Sequence, residues 1–187
     1  MHLIFLGIQG SGKGTQAKLL LDKGYKLFET GAQLRAIAEQ DTNLGKEITK
    51  MQESGNLVSD KLVCQLAANF IDSNPNSQII FDGIPRNEGQ YNEVVPMLQK
   101  KAPNFQVVNF ELDPQTALTR MEKRAAIENR SDDTPEAMQR RIAIFKEHTA
   151  PLLDKFTQIC SVISVDASQS IEAVNQECQS KLKLQND

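Results

Sequence analysis

The chain has 187 residues, 40% of them hydrophobic, and sets 21 basic against 24 acidic side chains for a net charge of −3. That length suits one α/β domain with a sizeable core and is too short for two ordinary domains, so any insertion must be small. The even charge balance gives no general field for nucleic acid or an anionic membrane, and Cys64, Cys160 and Cys178, far apart and without a C-x-x-C pair, argue against a disulfide scaffold or a zinc site.

The first apolar run, residues 3–6, reads as a buried strand. It is too short for an export signal, and no later stretch approaches a membrane span, so a soluble, cytoplasmic protein is expected. Directly after it comes Gly7-Ile8-Gln9-Gly10-Ser11-Gly12-Lys13-Gly14-Thr15-Gln16. The glycines let the backbone curl with its N–H groups inward, the helix that follows adds the positive end of its dipole, and Lys13 can reach outer phosphates. This strand, glycine loop and helix fit the G-x-x-x-x-G-K-[ST] phosphate loop, except that Gly14 stands where Ser or Thr is usual and the hydroxyl comes one residue late at Thr15. The ligand expected from it is a nucleoside triphosphate tail.

Residues 24–28 are a second strand candidate leading into Thr30-Gly31, and residues 30–74 are helical in pattern with no strand between. That excursion is longer than a crossover needs; it is either an ordinary multi-helix connection or, in a kinase, a movable cover for a second substrate. Residues 78–81 form a third strand, ending in Asp82 and the turn Gly83-Ile84-Pro85-Arg86. A carboxylate there can hold Mg²⁺ through water beside a phosphate site, and Pro85 stiffens the turn that presents Arg86.

Residues 107–112 and 162–165 complete the strand set, with a helix beginning near Gln115 between them. The pattern predicts a doubly wound parallel five-stranded sheet, helices on both faces, with ligands beyond the carboxyl ends of the strands. The polar stretch 125–135 reads as a short lid, and Asp132 and Asp133 can both pair with its arginines and begin a helix at Thr134-Pro135-Glu136. Only seven arginines occur, and five lie between 120 and 141. Arg120 and Arg124 share a helix face, and arginine is favoured where phosphate is gripped by two parallel bonds. His2 and His148, the only histidines, have no ligand-spaced partner. The tail 181–187 is expected to fray.

The G-K-G-T-Q loop, the Asp82-Gly83-Ile84-Pro85-Arg86 turn and the arginine spacing together resemble the adenylate kinases of the short-lid type, from Gly7 to about Ser170. The resemblance implies a P-loop nucleoside monophosphate kinase architecture: a core of 1–29, 60–124 and 135–187, a monophosphate-binding insertion at 30–59, and a lid at 125–134. It implies Mg²⁺-dependent, reversible transfer of the γ-phosphoryl group of ATP to AMP, giving two ADP, by a monomer with no structural zinc. Gly10, Ser11, Gly12, Lys13, Gly14 and Thr15 would cradle ATP phosphates, with Arg120 and Arg124 on the ATP side and Gln169 against its adenine. Thr30, Gly31 and Arg35 would bind AMP, Arg35 at its phosphate. Asn56, Leu57 and Val58 would line the AMP base, and Gly83, Ile84, Pro85 and Arg86 would complete that site. Gln90 would read the base edge. Lys13, Arg86, Arg124, Arg130 and Arg141 would act on the transferring group, with Arg130 and Arg141 gripping the phosphates around transfer and Asp82 facing the Mg²⁺.

Three positions depart from the family pattern: Ile8-Gln9 replaces a two-proline or Ala-Pro pair, Ala32 a common acid, and Ile84 a usual aromatic. Two other readings compete. A uridylate or cytidylate kinase shares the phosphate machinery, but that branch usually has Ala at the Thr30 position and Asn near Gln90. A nucleotide-binding switch without transfer would account for the phosphate loop and Asp82, though not for a second set of phosphate arginines.

Overall fold

The computed structural model describes residues 1–101, 103–128 and 132–184. Five strands, β1 (His2–Gly7), β2 (Tyr25–Glu29), β3 (Gln78–Asp82), β4 (Phe105–Glu111) and β5 (Val162–Asp166), form one sheet in the order β2-β3-β1-β4-β5, and every pairing is parallel. All five expected strands are present. The fourth starts earlier than its apolar run suggests because the ladder with β1 opens at His2 opposite Phe105.

Alternation along the strands explains why both faces must be covered. Leu3 and Phe5 of β1, Ile80 of β3, and Val108 and Phe110 of β4 point to one face, while Ile4, Leu6, Ile79, Phe81 and Val107 point to the other. A parallel strand buried on both sides is continuously apolar for this reason. The first face packs on α1 (Lys13–Leu19) and α9 (Ile171–Leu182) through Ala17, Val174 and Cys178. The second packs on α4 (Asp60–Ser73), α5 (Glu88–Lys101) and α8 (Leu152–Thr157) through Val63, Ala67, Val94, Leu98 and Phe156. A Val, Leu or Phe side chain so buried contributes about 1.5–3 kcal/mol.

Between β2 and β3 the chain is helical, as its pattern predicts: α2 (Thr30–Ala38), α3 (Asn43–Glu53), then α4. Thr42 caps α3 by accepting from the Gly45 amide at 2.9 Å. After β4 comes α6 (Pro114–Glu128), and α7 (Pro135–Ile144) begins at Thr134, whose hydroxyl accepts from the Ala137 amide at 3.2 Å. Proline in the first turn forfeits no bond, because that N–H has no intrahelical acceptor. A π-helical turn, Phe145–Thr149, joins α7 to α8.

The carboxyl ends of the strands place Gly7, Glu29, Asp82, Glu111 and Asp166 along one edge, with Glu29 opposite Asp82 and Glu111 opposite Asp166. The chain leaves β1 toward β2 on one side and leaves β3 toward β4 on the other, which opens a crevice at that edge. Among the described residues no helix is long and apolar enough to cross a membrane.

Candidate active site

A cavity of about 840 Å³ occupies the crevice. Its floor is the loop between β1 and α1. Gly10 holds a φ of +88°, and a Cβ there would lie 2.6 Å from the Ala117 carbonyl oxygen, so only glycine lets this loop pass under α6. Lys13 folds back over the loop: its Nζ donates to the carbonyls of Gly7 at 2.7 Å and Ile8 at 2.9 Å, and reaches Ser11 Oγ at 3.4 Å. The ammonium that sequence reasoning aims at a phosphate is thus held by the loop's own oxygens. Burial, reinforced by Arg86 and Arg124 and opposed by Asp82, lowers its pKa to about 8.

Asp82 ends β3 beside Lys13, and a Cβ on Gly14 would lie 3.4 Å from its Oδ2. Loss of water raises the carboxyl pKa; Lys13 pulls it back down, Glu29 pushes it up, and Arg86 pulls it down again. Among the described residues no group of three His, Cys, Asp or Glu gathers around a common point. One carboxylate suits Mg²⁺, which keeps several waters and is carried largely by substrate phosphates.

Arg86 is fixed from three directions. Its Nε donates to the Gly83 carbonyl at 2.9 Å, its amide donates to Gln90 Oε1 at 2.8 Å, and its carbonyl accepts from the Thr149 hydroxyl at 2.6 Å. Gln90 is itself anchored, donating from Nε2 to Asp60 Oδ1 at 2.9 Å. The π-helical turn brings Thr149 to this site, as such turns often do near functional residues.

A second pole lies under α2. Thr30 is buried, and its hydroxyl has no hydrogen-bond partner among the described residues. Arg35 faces the same space and pairs with Glu29 at 2.9 Å. Gly31, Asn56, Leu57 and Val58 line this pole, whereas Ile84 and Pro85 are buried behind the wall.

Across the cavity, Arg120 donates to the carbonyls of Ala167 at 2.8 Å and Ser168 at 3.4 Å, tying α6 to the loop that carries Gln169. Arg124 donates through Nε and Nη2 to Asp133 Oδ2 at 2.9 and 2.5 Å. Arg141 donates to the other oxygen of Asp133, to Asp132 Oδ2 at 2.9 Å, and to the Gln52 carbonyl at 3.1 Å. Asp132 and Asp133 therefore pair with arginines and stand just before α7, as the sequence suggests. Arg140, without an expected role, donates to Asn56 Oδ1 at 3.1 Å. Arg130 lies outside the described residues.

The remaining expected residues, from Gly10 to Thr15 and from Gly83 through Arg86 and Gln90 to Gln169, line the same cavity, Ile84 and Pro85 excepted. Sequence reasoning missed Glu29, Asp60, Thr149 and the Gln52 carbonyl. Of these only Glu29, an acid at a strand end before a turn, carried a readable signal.

The sequence model of the family described as adenylate kinase matches residues 5–161 of this chain. A curated relative named adenylate kinase from Rhizobium meliloti is 37% identical over 186 residues, covering 95% of this chain and 97% of the relative. One of that name from Hyphomonas neptunium is 34% identical over 186 residues, covering 98% of each. A third, from Bartonella henselae, is 34% identical over 192 residues, covering 98% of this chain and all of the relative.

Proposed function

Because this chain belongs to the adenylate kinase family and so is an ATP:AMP phosphotransferase, we propose that the crevice cavity holds both nucleotides, phosphates toward each other, on either side of Lys13 and Asp82. One observation carries this reading: the cavity has two separate cationic poles, Lys13 with Arg120 and Arg124, and Arg35 with Arg86, and the second also holds the orphan hydroxyl of Thr30. A site for one nucleotide has no use for the second pole.

In this reading residues 10–15 take the triphosphate through backbone N–H groups, and Lys13 exchanges the carbonyls of Gly7 and Ile8 for phosphoryl oxygens. Arg120 and Gln169 bound the ATP adenosine. AMP lies against Thr30, Gly31, Leu57 and Val58, with Arg35 and Arg86 on its phosphate, and Gln90 orients its base. Asp82 would hold Mg²⁺ through water, and the ion, when bound, would offset the negative charge on the phosphates. Arg86, Arg124 and Arg141 surround the transferring group, and the family resemblance assigns Arg130 to act with them. Transfer through a loose transition state chiefly requires alignment and fixed positive charge, which these side chains supply without a covalent intermediate.

Residues 30–59 then act as the monophosphate-binding insertion and 125–134 as the lid, on a core of 1–29, 60–124 and 135–187; closure of both excludes water and so suppresses hydrolysis. One chain supplies every group this scheme needs, so the active species is expected to be a monomer in the cytoplasm, where both nucleotides are found. The test is coupled ADP production from Mg·ATP with AMP, UMP and CMP supplied separately. AMP alone is expected to serve. Comparable turnover on UMP or CMP would move the chain to pyrimidine acceptors, and silence with all three, in protein that still binds ATP, would leave it a nucleotide binder.

A further inference from the structure

Arg124 and Arg141 share two acceptors, one a carboxylate and one a neutral amide, and Arg141 is held besides by Asp132 and the Gln52 carbonyl. On the protein side stands Asp133, whose side chain is 0% exposed and whose two oxygens divide between the two guanidinium groups. On the cavity side the phosphate loop sends up one side chain, Gln9. With its amide in the orientation that the surrounding donors require, its oxygen accepts from Arg124 Nη2 at 3.2 Å and from Arg141 Nη1 at 3.3 Å. The same two nitrogens donate to Asp133. Asp133, Arg124, Gln9 and Arg141 thus close a ring of hydrogen bonds.

We propose that Gln9 is a positioning residue for phosphoryl transfer: its amide oxygen holds the facing nitrogens of Arg124 and Arg141 at a set spacing over the phosphate loop before nucleotide arrives. The inference rests on the reading that these arginines act on the phosphates. Two like charges brought together repel; Asp133 binds both and Asp132 binds Arg141, but on the phosphate-loop side Gln9 is the acceptor the two arginines share. A neutral acceptor on the open side fixes their approach without cancelling charge, so both remain able to meet a phosphoryl oxygen. A carboxylate in that place would bind them more strongly and compete with phosphate. Groups fixed before the reaction stabilise the transition state without reorganising, so the effect belongs in kcat rather than in nucleotide binding.

The experiment compares parent, Gln9→Leu and Gln9→Glu, each also in an Arg124→Lys background. Gln9→Leu keeps a side chain of comparable bulk and removes the acceptor. It is expected to lower kcat about threefold to tenfold, while the Kd for ATP and the melting temperature of the nucleotide-free protein stay near the parent's. In the Arg124→Lys background it should lower kcat much less, because the bridge it breaks is already gone. Gln9→Glu is expected to raise KM for ATP. An unchanged kcat in Gln9→Leu overturns the proposal, as does an equal loss in both backgrounds, or a loss of kcat that merely follows lost ATP binding and stability. A parent unable to make ADP from Mg·ATP and AMP sinks the transferase reading itself, whereas an active parent with an indifferent Gln9→Leu sinks only the role of Gln9.

Discussion

The phosphate loop and the arginine cluster face each other across one cavity, and both present positive charge, but they are built in opposite ways. The loop is made from residues 7–16, adjacent in sequence, and its shape comes from backbone: left-handed glycines and Lys13 folded onto two of the loop's own carbonyls. The cluster draws on Gln9, Gln52, Arg124, Asp132, Asp133 and Arg141, and its shape comes from side-chain charge pairs. In the loop a cation rests against neutral oxygens, and in the proposed reading it would leave them by exchanging one set of oxygens for another. In the cluster the cations are aimed by buried acids that need never leave. The first arrangement suits a group that must move onto its ligand, and the second suits groups that must already be in place.

The sharpest way to break that contrast is at Lys13. Lys13→Met removes the mobile charge but keeps an unbranched apolar stem, so kcat is expected to fall by about a hundredfold to a thousandfold, while the melting temperature at neutral pH does not fall, since the buried ammonium it removes is destabilising there. Coupled ADP assays and thermal unfolding of the free protein check the pair of outcomes. A variant that melts much earlier than the parent would mean that the lysine shapes the loop and is not merely parked on it.

The cluster should respond the other way. Asp133→Asn leaves two guanidinium groups facing a neutral amide, and removing one partner of a buried charge pair costs about 3 kcal/mol of stability. Here the loss should appear in urea unfolding of the nucleotide-free protein as well as in turnover. A loss under 1 kcal/mol, on the order of an exposed ion pair, would show that the arginines are held from the cavity side and that the buried acid is secondary.

The same contrast governs what could be read in the sequence. The loop was legible because its signals are local: an apolar run, glycines at fixed offsets, a lysine. The sheet was legible from the continuous apolar runs of β1 and β3 and the largely apolar run of β4, since strands buried on both faces leave no strict polar alternation. The cluster was legible only in part. Arg124 and Arg141 followed from a family resemblance, and Asp132 and Asp133 from their place before a helix. The Gln52 carbonyl did not, because no side chain announces a backbone acceptor from 89 residues away. Asp60, which turns the Gln90 amide, and Thr149, brought under Arg86 by a π-helical turn, were hidden for the same reason: the fold, not the local pattern, makes them neighbours. Nor could sequence tell that Lys13 rests on its own loop, since that depends on what oxygens lie closest once the chain has curled.

The smallest effect discriminates most finely, because it separates what Lys13 does for binding from what it does for folding. Burial holds its pKa at about 8 in the nucleotide-free protein, against 10.5 for an ordinary lysine. Above pH 8 the free protein progressively loses the ammonium, so ATP binds less well and kcat/KM should bend downward there. With ATP bound, the phosphates favour the charged form, so kcat should stay level past the same pH. Stability runs in the opposite direction. Between about pH 8 and 10.5 the unfolded chain keeps the proton that the folded chain gives up, so the contribution of Lys13 to stability rises with pH across that window, and its full cost is felt below it. Lys13→Arg, which does not titrate in this range, should lose the bend in kcat/KM and the matching stability slope together. If only the bend disappears, the slope belongs to another group. If neither changes, the lysine is not stored as an easily discharged cation, and the loop and the cluster differ in architecture but not in the state of their charge.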